Sequence, residues 1–163
     1  MLDIYKRCTA DNTLNFIEKM IEELPFPIQR IQSDRGLEFF AQKVQEKFME
    51  YGIKFRPVKP ASPHLNGKVE RSQKTDLEEF YATTDLSCFD TLRENLECWQ
   101  FYYNWQRPHG SLKGKTPSQV DSELAEKTPL QAEVCSLYDP SKEHIQLANY
   151  YNEMRLKKLK GSM

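Results

Sequence analysis

No apolar run in this chain approaches the ~20 residues needed to cross a bilayer, and no signal-peptide pattern precedes its first strand-like stretch. No membrane partner and a cytoplasmic location are therefore expected. Cysteine is sparse. Cys8, Cys88, Cys98 and Cys135 are widely spaced and form no C-x-x-C pair, which argues against a zinc site and a disulfide framework. They read as reduced thiols, some of them buried. Glycine is scarce too, six in 163 residues, and none builds a Gly-rich phosphate loop. The three histidines supply no Ser-His-Asp order, and the chain has no internal repeat or low-complexity tract. A formal net charge of −1 excludes a wholly basic nucleic-acid binder and leaves only local charge to argue from.

What is present suits one folded domain with room for an appendage. Nine Phe, eight Tyr and two Trp supply bulk for one core. Residues 2–6 alternate as a short strand. Thr9, Asp11 and Asn12 offer N-cap chemistry to a helix on which Leu14, Ile17, Ile21 and Leu24 recur at three- and four-residue spacing. Pro25 and Pro27 end it, and residues 28–32 read as the next strand, although apolar Ile28 and Ile31 break strict alternation. Phe39, Phe40, Val44 and Phe48 then share a helical face closed by Gly52 as the C′ residue. Residues 53–58 alternate as a strand leading into a Pro/Ser loop at 60–63.

Helical pattern resumes at Lys68 and runs to about Tyr81, with Val69, Leu77 and Phe80 on its expected buried side. A long helix carries Leu92, Leu96, Trp99, Tyr102 and Tyr103, an aromatic face better suited to core or oligomer contact than to base stacking. Thr116 and Pro117 read as N-cap and N1 of a short helix to about Ala125. Residues 143–160 read as a polar helix that docks on the core or a neighbour. The order strand, helix, strand, helix, strand, then helices predicts a three-layer α/β fold with an incomplete mixed sheet.

Two carboxylates stand out. Asp34 ends the strand-like stretch 28–33 and meets a turn at Gly36; Glu70 follows where a turn-rich segment gives way to a helix. Paired carboxylates at a strand end and a helix start suit hard divalent cations, and two such ions clamp the attacking and leaving oxygens of phosphoryl transfer. Between residues 54 and 74 lie six basic residues, Lys54, Arg56, Lys59, Lys68, Arg71 and Lys74, against Glu70 alone, a net +5. Such a stripe gives phosphate affinity without sequence information. Lys74 sits four residues after Glu70, so it reads either as a phosphate contact or as a salt-bridge partner of that acid.

At these residues the chain resembles a known family. Gln32, Ser33, Asp34, Arg35, Gly36, Leu37, Glu38 and Phe39, followed by Glu70 in the stretch from His64 to Arg71, are similar to the last two acids of DDE integrase/transposase catalytic cores, with 35 residues between them. Tyr103, Asn104, Arg107, Pro108, His109, Leu112, Gly114, Thr116 and Pro117 resemble the tail of that core in bacterial insertion-sequence transposases.

The resemblance covers roughly residues 1–125 and implies a ribonuclease H-like fold, a two-metal site for Mg2+ or Mn2+ on Asp34 and Glu70, and DNA as partner. It also implies a homo-oligomer, and DNA contacts at His64, Asn66, Lys68, Arg71 and Lys74. Residues 126–163 form a helical extension. The family's first acid lies on an upstream strand, and Asp3 does not match it. The chain is therefore expected to be a core with its first strands missing, inactive alone. The expected function is DNA binding and metal-dependent strand cleavage and transfer. The alternative is a non-catalytic DNA-binding or assembly module derived from such a core. A glycoside hydrolase using the same acids is opposed by the basic stripe. Arg107 and His109 resemble a family motif to which the sequence gives no role, and an alternative for Arg107 is to anchor the C-terminal helix to the core.

Overall fold

The computed structural model describes residues 1–58 and 67–160. In chain order it contains α1 (Ala10–Glu23), β1 (Arg30–Ser33), α2 (Gln42–Glu50), β2 (Lys54–Pro57), α3 (Gly67–Thr75), α4 (Phe89–Trp105), α5 (Pro117–Leu124), α6 (Gln131–Ser136) and α7 (Pro140–Lys160). A π-helical stretch, Asp76–Tyr81, continues α3, and short 3-10 turns occupy Leu37–Phe40, Gly110–Leu112 and Ala125–Lys127. None of the described helices is long and apolar enough to cross a membrane. The chain divides into two units, residues 8–59 with 129–163 and residues 1–7 with 60–128.

The first of these units is built on a βαβ crossover. Thr9 caps α1, its hydroxyl accepting from the Asn12 amide at 3.3 Å. β1 and β2 pair in parallel, Ile31 opposite Phe55 and Ser33 opposite Pro57. The two expected strands thus share one sheet, and among the described residues that sheet is a parallel pair without an antiparallel member. β1 begins at Arg30, two residues later than the sequence suggested, so Ile28 lies outside its alternation and the conflict with Ile31 disappears.

The helical face expected from Phe39 to Phe48 is interrupted at Ala41, whose extended backbone (ψ 138°) separates a 3-10 turn from α2. Gly52 closes α2 at φ +67°, and the Ile53 amide reaches back to the Phe48 carbonyl at 2.8 Å, the C-terminal capping geometry that favours glycine. Ile17, Phe40, Val44, Phe48, Ile53 and Phe55 form the core. Phe55 stacks on Phe48 at 5.4 Å and meets the Phe40 ring edge-on at 5.3 Å. α7 contributes Leu147, Tyr150 and Met154 to the same cluster, so the polar C-terminal helix docks as expected.

The second unit is helical. Phe80, Leu92, Leu96 and Trp99 are its buried cluster, with Leu2, Ile4, Tyr81 and Tyr103 packed against it. Residues 2–6, expected as a strand, are not one. Two of their backbone groups are engaged by helix side chains. The Leu2 amide donates to the Gln100 side chain, and the Ile4 carbonyl accepts from Arg93 at 3.1 Å. α5 starts with a reciprocal capping box, Thr116 Oγ1 accepting from the Gln119 amide at 3.2 Å and Gln119 Oε1 from the Thr116 amide at 2.9 Å.

Candidate metal and nucleic-acid site

Asp34 follows directly on β1, at the C-terminal end of a parallel strand, where ligands of parallel α/β sheets commonly bind. It is exposed, and its Oδ1 accepts the Gly36 amide at 3.2 Å in an Asx turn. Its second carboxylate oxygen has no partner among the described residues. Arg35, next in the chain, ties the ends of both strands together. Its Nε donates to the Val58 carbonyl at 3.2 Å, its Nη2 pairs with Glu153 of α7 at 3.1 Å, and its Nη1 is buried without a partner among the described residues. Sequence reading passed over Arg35, because Glu153 lies 118 residues away.

Glu70 lies in the first turn of α3, where a negative charge is favoured by the helix dipole. Among the described residues no ion pair or hydrogen bond engages its carboxylate. Lys68 and Arg71 are exposed beside it. Lys74 does not pair with Glu70; it pairs forward with Glu78 at 3.5 Å, both side chains well exposed. His64 and Asn66 lie outside the described residues, as does Lys59. Glu70 belongs to the unit of residues 1–7 and 60–128, and Asp34 to the other.

The net +5 of residues 54–74 is reduced by distant acids. Arg56 makes a two-pronged pair with Glu143 of α7, Nη2 to Oε1 at 2.8 Å, with both side chains mostly buried. This arginine is committed to holding α7 on β2 and is not available to phosphate. Asp3 is engaged as well, accepting from the Ile4 amide at 2.7 Å and the Tyr5 hydroxyl at 3.1 Å. Burial, then the Asp3 carboxylate, push the Tyr5 hydroxyl up to about 12.

The buried side of the Glu70 helix differs from expectation. Val69 and Leu77 are exposed, Phe80 is buried as expected, and Asp76 is buried with it. The wider π turns from Asp76 onward bring positions 76 and 80 onto the face that meets α4. The Asp76 carboxylate accepts the Trp99 indole N–H at 2.9 Å inside the unit. Sequence reading also missed a second polar contact: Arg107 grips Glu79 with two nitrogens, Nε at 2.7 Å among them. That guanidinium holds the Glu79 carboxyl below the usual carboxylate range. All four cysteines are free, as expected, and all are exposed, whereas some were expected to be buried.

As donors, Asp34 and Glu70 fit magnesium or manganese: both are exposed carboxylates, hard oxygen ligands with capacity to spare. Among the described residues no group of three His, Cys, Asp or Glu side chains is arranged to hold a metal ion.

Residues 51–117 match the integrase core domain family. The chain is similar to the ORF3 protein of Spiroplasma virus SpV1-C74, provisionally named an integrase, at 27% identity over 130 residues. That alignment takes in 70% of this chain and 36% of the relative, so the chain spans about a third of the relative's length. Among solved structures it resembles the catalytic core domain of BIV integrase, with a TM-score of 0.61 and 23% identity over 77% of this chain and 80% of that one. This likeness shows the ribonuclease H-like fold.

Proposed function

We propose that this chain, which carries a DDE integrase/transposase core, binds DNA and holds divalent metal ions on Asp34 and Glu70 for cleavage and transfer of DNA strands. The observation that carries this reading is that two carboxylates have spare coordinating capacity. One ends a parallel strand, and the other opens an exposed helix inside the matched segment, residues 51–117. Magnesium or manganese, when bound, supplies Lewis-acid activation of the phosphoryl group and of the attacking water or 3′ hydroxyl.

The chain's own residues do the rest. The Gly36 amide fixes the Asp34 carboxylate in its turn, and Glu70 stands in the first turn of α3. Lys68 and Arg71 lie on the same exposed helix as Glu70 and set the phosphate backbone beside it. Lys74, shared with Glu78, contributes less. His64 and Asn66 complete the DNA contacts, and the working form is a homo-oligomer. A second reading is a DNA-binding or assembly module without turnover; Asp3, the acid nearest the start of the chain, is engaged by the Ile4 amide and the Tyr5 hydroxyl.

Two assays test this. Fluorescence anisotropy of a labelled duplex, read across a salt series, is expected to show log affinity falling linearly with log salt, the slope shrinking by about 0.9 for each phosphate contact removed in Lys68→Ala and Arg71→Ala. Manganese-dependent nicking of the same duplex is expected to vanish in Asp34→Asn and Glu70→Gln while binding persists. Salt-sensitive binding without nicking in the unmutated chain supports the module reading. Absence of both sinks the DNA assignment.

A further inference from the structure

We propose that Arg107 and His109 form a positioning pin that sets the orientation of the helix carrying Glu70. The inference rests on the reading of Glu70 as a metal ligand. α3 buries no side chain of its own. What holds it is its π-helical continuation, where Asp76 and Phe80 are the buried residues. Phe80 stacks on Trp99 at 6.0 Å. A ring contact of this kind fixes helix direction less sharply than a hydrogen bond, because apolar burial is non-directional and aromatic pairs accept several geometries.

Direction comes from two polar contacts three residues apart. Asp76 accepts from Trp99 at 2.9 Å, and Glu79 is gripped by Arg107, Nε at 2.7 Å. A planar guanidinium that meets both oxygens of a carboxylate fixes angle as well as distance. Arg107 is itself held. Its guanidinium lies over the Tyr103 ring, 5.6 Å from the centroid, and Nη1 meets His109 Nδ1 at 3.3 Å.

His109 is buried. Its Nε2 meets the Tyr103 carbonyl at 3.1 Å, and its ring meets the Tyr103 ring edge-on at 4.5 Å. A guanidinium only donates and a carbonyl only accepts, so the imidazole must carry its proton on Nε2 and leave Nδ1 to receive Arg107. The extended backbone at His109 is pinned in turn: its amide donates to the Lys115 carbonyl at 3.1 Å and its carbonyl accepts from the Gly114 amide at 3.0 Å. Arg-Pro-His thus forms one rigid bracket, with Pro108 limiting the backbone between its two working side chains.

The consequence for Glu70 is mechanical. Glu70 lies nine residues before Glu79, a lever of roughly 13 Å at ~1.5 Å per residue. A roll of roughly 10° moves a carboxylate carried ~5–6 Å from the helix axis by about 1 Å. A misplacement of ~1 Å at a reacting group costs about 10²-fold in rate. The bracket is therefore a positioning device that acts on Glu70 through the helix.

Nuclear magnetic resonance on the full chain tests the pin without relying on turnover. Residual dipolar couplings of amides 68–75 report the direction of α3 against those of α4, and line broadening by added Mn2+ reports metal at Glu70. Arg107→Met and Glu79→Met are each expected to reorient α3 and to weaken Mn2+ broadening at Glu70 several-fold. Arg107→Lys, which keeps charge but loses the fork, should fall between them and the unmutated chain. The double variant should be no worse than either single one, because both remove the same bond. Should Arg107→Met fail to fold, Glu79→Gln, which keeps shape and drops the charge, carries the same readouts. Unchanged α3 couplings in the folded variants overturn the proposal. Absence of Mn2+ broadening at Glu70 in the unmutated chain would defeat the metal-site reading, and the couplings would still decide the pin.

Discussion

The Trp99 indole donates to the Asp76 carboxylate at 2.9 Å within a buried contact, so the π-helical stretch after the Glu70 helix is fastened to α4 by a directional bond as well as by Phe80. Removing one partner strands the other. Trp99→Phe keeps most of the ring but leaves the Asp76 carboxylate without its donor, and Asp76→Ala leaves the indole N–H without its acceptor. Each is expected to cost about 1–3 kcal/mol, the penalty for an unsatisfied buried polar group. Urea unfolding followed by tryptophan fluorescence checks Asp76→Ala, and circular dichroism checks Trp99→Phe. A cost near zero for both would mean that the bond contributes nothing to stability.

The Glu79–Arg107 pair predicts an acid-sensitive contribution. Hydrogen bonding to Arg107 lowers the Glu79 carboxyl from its ordinary 4.5. A group whose folded value is depressed gives stability that is fully present above its unfolded value and is lost as pH falls through the folded one. Glu79 is 40% exposed, so the contribution is modest, about 0.2–1 kcal/mol after solvent screening. Thermal melts of the unmutated chain and Glu79→Gln should differ at neutral pH and converge below about pH 4.5. A gap that widens on acidification would contradict the assignment.

Gly52 has no good substitute. At φ +67° a side chain is strained, and a Cβ there would lie 3.4 Å from the Cys135 Cα and the Tyr138 Cβ. Gly52→Ala is expected to destabilise the chain by about 1–2 kcal/mol from the left-handed backbone alone. Phe48→Ala, at a ring only 1% exposed, should cost about 3–5 kcal/mol through the cavity it opens. Chemical denaturation ranks the two, and Phe48→Ala should be the larger.

Local chemistry was legible in the sequence wherever it decided the structure locally. Thr9, Gly52 and the Thr116–Gln119 box cap their helices as their residue types require. Ile53 and Phe55 alternate into the core. The misses have distant causes. Val69 and Leu77 looked buried together with Phe80 at a 3.6-residue period, but of the three only Phe80 is, and the π-helical stretch buries Asp76 beside it. Arg56 looked free for DNA because its partner, Glu143, is 87 residues away. The strand-like pattern at residues 2–6 was overridden by Gln100 and Arg93 of α4. For the candidate site, the local settings of Asp34 after a strand and of Glu70 in the first turn of a helix could be read from the sequence. The bracket that orients Glu70 could not, because Glu79 and Arg107 are 28 residues apart and carry no shared pattern.

A Mn2+ titration of the full chain, followed by amide line broadening, tests most directly whether Asp34 and Glu70 serve one metal site. Resonances near Asp34 and near Glu70 should broaden together, at the same metal concentration, and Asp34→Asn or Glu70→Gln alone should abolish both. Broadening at the two places with separate midpoints, each lost only in its own variant, would contradict a shared site.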